Sequence, residues 1–370
     1  MNAHLELTSQ DLIRYSPAQN SKAVMGRGIQ RSALAVKETI LAFVFFVSCL
    51  LASFSEAADL PLVRIAHGAF NEKIAALWIG AEQGIFRKHG VEVEVIAIRS
   101  GPQTMAALAS GDIQMAYASP GGVLGAVAGG MDVAFFAGVV NRADGDFVVM
   151  PDIRKGEDLR GKRVGVQSIG GGVWTFAMLA LEHLGLEPTR DKIQLMIVGD
   201  QSVLTQALAA GRIDGAPLGY TFSGVAQAKG LRVLLDLGKV PIPYQGLSLV
   251  TQRSYLKRNP QIVDAVLRGT LEAVALIYNP LQKEAVLRSL AKNLRLRSVQ
   301  EAESGYQVLQ WLYSFDIRPS VKGLETMHRL LTISNPKMKG VKVEDVVDEA
   351  PVGRVQKTRF YEELISQAKK

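Results

Sequence analysis

The run Ser168-Ile169-Gly170-Gly171-Gly172 is the part of this chain best suited to hold a ligand. It follows a short apolar stretch (163–166) and precedes a segment carrying Trp174, Phe176 and Leu179, so it reads as a loop between a strand and a helix. Backbone N–H groups at a helix start lack intrahelical acceptors, a serine hydroxyl adds a donor, and glycine lets a ligand come close. Together they suit a carboxylate, sulfonate or phosphate. The same glycines would also serve a plain chain reversal; the loop's place at the carboxyl end of a strand favours binding. It is not a nucleotide loop, since the spacing and lysine of a P-loop are absent. Ser100-Gly101-Pro102-Gln103-Thr104 leads into another helical segment and is the matching feature elsewhere, with Ser100 equally suited to capping that helix. Asn141 and Arg142 follow the apolar stretch 133–138; Arg142 could grip an anion with two parallel hydrogen bonds, although surface arginines are commoner than ligand arginines.

Residues that would transform a ligand are harder to find. The histidines, at positions 4, 67, 89, 183 and 328, show neither HxH nor HxxxH spacing, so no metal site is expected. His67 falls at a strand end, where it could act as a base only with an orienting partner; a structural role is the better reading. Cys49 is the one cysteine. No cofactor and no catalytic residue are expected. The net charge of +7 is spread along the chain rather than gathered beside aromatic residues, which argues against a nucleic-acid face and is compatible with attraction of an anionic ligand.

The elements that must position these loops announce themselves by an internal repeat. Residues 101–138 align without gaps on 201–238 with eleven identities: Ala107, Leu108, Ala109, Gly111, Ile113, Ala116, Ala126, Ala128, Gly130, Val133 and Gly138, each matched one hundred residues on. Each copy runs helix, glycine stop, strand, helix, strand. Gly111 and Gly211 sit where a left-handed helix cap is wanted. Strands are expected at 63–66, 91–98, 115–118, 133–137, 163–166, 194–198 and 232–235, several of them near-continuous apolar runs of the kind covered on both faces. One helix is expected over 71–88, on the spacing of Ile74, Leu77, Trp78, Ala81 and Ile85. The fold class is α/β, with mostly parallel sheets in two similar lobes around a cleft.

With 370 residues, 48% apolar and 21% charged, there is material for two cores. Lobe 1 is assigned 59–150 plus 246–370, and lobe 2 is assigned 151–245, with the first crossing after Pro151 and the return near Gly246. Asn259 and Pro260 begin a long helix ending at Asn279-Pro280, the first part of an all-helical tail covering lobe 1. Residues 1–58 read as a leader: Arg27, Arg31 and Lys37 precede the apolar run 40–52, and Ser55-Glu56-Ala57 is a small-residue cleavage triplet. The apolar run is short for a membrane span. Met25 is an alternative start, and lipid attachment at Cys49 an alternative to cleavage.

RIAHG (64–68), WIGAEQGIFRKHGVEVEV (78–95), ALASGDIQMAYAS (107–119), DLRGKRVGV (158–166) and LAAGRIDGA (208–216) resemble the substrate-binding proteins of ABC transporters in the nitrate, sulfonate and taurine group. The resemblance implies the type II periplasmic binding-protein fold and a periplasmic receptor that closes by a hinge around a small, anionic solute. It implies as partners that small-molecule ligand, an ABC permease and its ATPase, with the receptor a monomer. Family geometry directs attention to Phe70 and Asn71 after the first strand and to Ser119-Pro120 after the third; Tyr220 holds the corresponding place in the second repeat copy, where a core role suits it equally. Relatives bind nitrate, taurine, alkanesulfonates, aromatic acids or pyrimidine precursors, and some are enzymes acting on aromatic sulfur compounds. An enzyme on this scaffold and a ligand-sensing partner of a signalling protein are the alternatives.

Overall fold

The computed structural model describes residues 59–98 and 100–368. The leader, its cleavage triplet and Cys49 lie outside the described residues. Two five-stranded sheets make the frame. The first contains β1 (Leu62–His67), β2 (Glu92–Ala97), β3 (Met115–Ala118), β4 (Val133–Gly138) and β10 (Ser248–Gln252), in the order β2-β1-β3-β10-β4. The second contains β5 (Asp146–Val149), β6 (Arg163–Val166), β7 (Gln194–Ile197), β8 (Gly215–Leu218) and β9 (Arg232–Asp236), in the order β7-β6-β8-β5-β9. Position by position the two orders are equivalent. The fourth strand of each, β10 or β5, runs antiparallel to both neighbours and is delivered by a chain crossing.

The first crossing therefore falls between Gly138 and Asp146, earlier than the expected position after Pro151. The stretch beginning at Phe147 is a strand of the second sheet. All four residues of β5 are buried, as are all six of β4, so both read as the same kind of doubly covered strand. Burial alone cannot say which sheet such a strand joins; the pairing of Phe147 with Pro217 and Leu235 decides it.

Helices fill the connections: α1 (Ala75–Glu82), α2 (Ile85–Lys88), α3 (Gly101–Ser110), α4 (Pro120–Ala128), α5 (Gly172–His183), α6 (Gln201–Ala209) and α7 (Tyr220–Gln227). The repeat is visible at its offset of one hundred: α3, β3, α4 and β4 answer to α6, β8, α7 and β9. Gly111 and Gly211 stop their helices at φ 85° and 65°, and Gly130 and Gly230 turn at 93° and 84°, all values that a Cβ would oppose. The helix expected over 71–88 is instead a 3₁₀ turn (Glu72–Ile74), α1 and α2, broken where Gly84 adopts φ 66°. That break folds Phe86 back, so that its ring lies between Gly80 of α1 and Gly269 of the tail.

The tail contains α8 (Arg253–Arg258), α9 (Pro260–Tyr278), α10 (Lys283–Asn293), α11 (Glu303–Leu312), α12 (Val321–Ser334), α13 (Ala350–Gln356) and α14 (Arg359–Ala368). Asn259 does not cap α9 with its side chain; its amide donates back to Tyr255 O at 3.3 Å. Most of the tail packs on lobe 1, but it also reaches lobe 2: Ser304 Oγ donates to Tyr220 O, and Arg329 pairs with Glu182. A Cβ on Gly269 would overlap the Phe86 ring. Gly269→Ala is accordingly expected to cost about 1–3 kcal/mol through overpacking, outweighing its helix-propensity gain, as read by urea denaturation.

Candidate functional site

Every parallel strand ends at the same interface. The loops after β1, β2 and β3 face those after β6, β7 and β8, which is where open α/β sheets collect ligands. The lobes are closed on each other. Gln167 Nε2 donates to Gly68 O at 2.9 Å across the cleft, and Tyr220 N donates to Glu72 Oε1 at 3.0 Å. Phe70 packs on Phe222 with ring centroids 5.9 Å apart. Gly121, in the first turn of α4, lies against the Gly170 carbonyl with no space for a Cβ between them.

Between these contacts is a cavity of about 60 Å³. Lobe 1 contributes Asn71, Lys73, Gly101 and Ser119; lobe 2 contributes Gln167, Ser168, the α5 start at Gly171-Gly172-Val173, and Phe176; the return crossing contributes Tyr244 and Leu247. Helix α5 begins with Gly171 in an extended conformation, and the Thr175 N–H is the first to bond back to it. The amides of the preceding turn are thus left to point out of the helix start, the arrangement that favours an anion. Ser119 stands opposite: a Cβ on Gly172 would come 3.2 Å from Ser119 Oγ. Asn71 Oδ1 caps the 3₁₀ turn by accepting from Lys73 N at 3.2 Å, and the residue also lines the cavity.

A wider, open recess continues from this cavity past Gly68 and Gln167, and there Phe70, Ser100 and His67 lie. Ser100 makes no side-chain cap to α3; its carbonyl accepts from Thr104. His67 Nδ1 donates to Ala69 O at 2.7 Å, its ring meets Trp78 edge to face, and burial pushes its pKa down to about 4. It is a neutral imidazole held by the backbone, with no carboxylate orienting it. Gly170, at φ 75°, lies on an outer groove beside Ile169 and Leu331. Three residues point elsewhere. The Asn141 amide donates to Arg318 O in the tail, Arg142 is exposed, and the Tyr220 hydroxyl donates to Asp236 Oδ1 at 2.6 Å while its ring meets Trp311.

Lys73 is the charged residue of the cavity that sequence reasoning missed. Its ammonium is buried, 3.0 Å from Asp144 Oδ1 and 4.7 Å from the centre of the Phe176 ring, and it is the one cation among the described residues of the cavity wall. A lysine after Asn71-Glu72 gives no signal of burial, because the same residue types begin any solvated helix. Gln167 and Tyr244 were also missed, the first hidden beside a glycine loop and the second in the proline-rich crossing. Asp144 comes from the first crossing; burial pushes its carboxyl up to about 6 against the pull of Lys73.

Comparison with known proteins places these features in context. A family described as NMT1/THI5 like matches residues 71–283. The taurine-binding periplasmic protein of Escherichia coli K12 is 26% identical over 279 residues, covering 73% of this chain and 82% of that protein. A putative binding protein of Brucella abortus is 27% identical over 175 residues, which are 47% of this chain and 52% of that one. Among solved structures, the periplasmic nitrate-binding protein NrtA from Synechocystis PCC 6803 superposes with TM-score 0.66 at 17% identity, covering 80% of this chain and 88% of its own. The periplasmic aliphatic sulphonate-binding protein SsuA from Escherichia coli gives 0.63 at 19%, covering 78% and 92%. At these identities the superpositions speak for the fold, a two-lobed α/β periplasmic binding-protein architecture.

Proposed function

Since this chain belongs to the NMT1/THI5-like family, we propose that it is the extracytoplasmic solute-binding receptor of an ABC importer, and that it captures a small anion between its lobes and hands it to a permease driven by an ATPase. The observation that carries this reading is the cavity built from both lobes at once, with a helix start, two serines, an asparagine, two glutamines and one buried lysine lining it. A ligand touching both halves stabilises the closed form by its differential affinity, which is how such a receptor selects its solute. The lining groups can serve as hydrogen-bond donors and apolar walls, and no reaction is assigned to them. The names of the relatives point to sulfonates, taurine and nitrate as the first solutes to try.

A thermal-shift screen of taurine, ethanesulfonate, nitrate, benzoate and a pyrimidine tests the proposal. At ligand concentrations about 100 times Kd, binding adds roughly 2.7 kcal/mol to stability, enough to raise Tm by several degrees. Compounds with an anionic head, zwitterionic taurine among them, are expected to raise Tm and the pyrimidine, which has none, to leave it unchanged. A shift with the pyrimidine alone would overturn the assignment of an anion site.

A further inference from the structure

Two observations at the back of the cavity are left unused by a simple anion cradle. The Lys73 ammonium donates to Asp144 Oδ1 and lies over the Phe176 ring, and Lys73 also lines the cavity. Asp144 is buried, and its second oxygen, Oδ2, has no hydrogen-bond partner. Among the described residues that line the cavity, the one cation is therefore already neutralised by a carboxylate that is itself poorly solvated.

We propose that Lys73 and Asp144 act as a proton-linked anion receptor: the Lys73 ammonium turns to the head of the bound anion, and Asp144 takes up one proton from solvent as it does so. This rests on the reading of the cleft as an anion site. The balance is one anion and one proton entering together, so the pair passes from Lys⁺/Asp⁻ to Lys⁺/AspH with the anion's charge in place of the carboxylate's. Two anionic groups sharing one buried ammonium would otherwise repel each other, since burial of Lys73 and Asp144 leaves little water to screen them.

The surroundings favour this exchange. Glu72, on the same turn as Lys73, and Asp236, at the end of β9, both add negative potential at Asp144. Among the described residues, the hydroxyls of Tyr117, Tyr220, Tyr244 and Tyr313 are also coupled to it, all held neutral by burial. Lys73 is the only cation acting on it among these groups. Burial already lifts the Asp144 carboxyl to about 6, so an arriving anion has a short way to push it past neutral pH.

The sign follows from linkage. Below about pH 6 Asp144 is protonated before the anion arrives, and affinity is independent of pH. Between that value and the higher one in the complex, affinity falls about tenfold for each unit of pH. Calorimetric titration with ethanesulfonate, nitrate and taurine at pH 6, 7 and 8, in two buffers of different ionisation enthalpy, is expected to show that slope and close to one proton taken up. Asp144→Asn, isosteric and uncharged, should bind with a flat pH profile and no proton uptake. A flat wild-type profile, or a slope that survives in Asp144→Asn, would overturn the proposal. If neither the two anions nor zwitterionic taurine, with its sulfonate head, binds at any pH, the reading of the cleft as an anion site fails, and the pair is judged on the ligand-free protein. Carboxyl ¹³C resonances assigned by comparison with Asp144→Asn should then titrate near 6, and a midpoint in the ordinary aspartate range would overturn the pair as well.

Discussion

Gly121→Val is expected to fold normally and to lose affinity for its anion by at least about a hundredfold. The three nearest atoms to a Cβ at this position are Gly170 O, Gly170 C and Gly171 N, all in lobe 2 and all backbone. The closest clash is thus with the opposite lobe, and the substitution acts first on the contact between the lobes. Gly170 holds φ 75°, and its carbonyl cannot swing aside as a flexible side chain would. The lobes must stay apart by roughly the width of the added side chain, and the cavity loses the simultaneous contact of Ser119 with the α5 start. A penalty of about 3 kcal/mol on the closed form lowers apparent affinity roughly a hundredfold. Calorimetry reads the affinity, and small-angle scattering should give a larger radius of gyration than wild type with ligand present. Unchanged affinity would mean that closure at this contact is not needed for binding.

That prediction depends on two glycines that face each other across the cleft but lie 49 residues apart in the chain, and it shows where sequence reasoning stops. The repeat could be read because its determinants are local: a left-handed glycine after a helix, then a short run of apolar residues, imposes the same backbone at 111 and at 211. The loop at Ser168-Gly172 could be read for the same reason. Strand β5 could not be assigned, since its apolar run fits either sheet and only long-range pairing chooses between them. Pro151 is a turn after β5, which made it look like a boundary when the chain had already crossed. Side chains were harder still. Tyr220 and Asn141 are polar residues near loops, as site residues often are, yet one is drawn off by Asp236 and the other by Arg318 O. Lys73 went the opposite way, into the interior, because Asp144 from a different segment is there to receive it.

The Lys73–Asp144 pair also governs stability, and Lys73→Met is the second large effect. Methionine keeps most of the apolar stem and removes the ammonium, and with it the ion pair to Asp144 and the cation–π contact with Phe176. Asp144, with Oδ2 already unpartnered, is then a buried carboxylate with no counter-ion, which typically costs about 3–5 kcal/mol. The cost depends on pH in a definite direction. Wild-type Asp144 already titrates near 6, and removing Lys73 raises that value further. Ionised Asp144 is the destabilising form, so the full loss is present above the mutant's raised pKa and shrinks as pH falls towards 6 and below. Urea denaturation at pH 8.5 and at pH 5.5 should give a large difference from wild type at the first and a small one at the second. The double variant Lys73→Met/Asp144→Asn removes the buried charge along with its partner, and should regain most of the loss at pH 8.5. An equal loss at both pH values, or no recovery in the double variant, would show that Lys73 acts through packing alone. The cation would then be incidental to the carboxylate beside it.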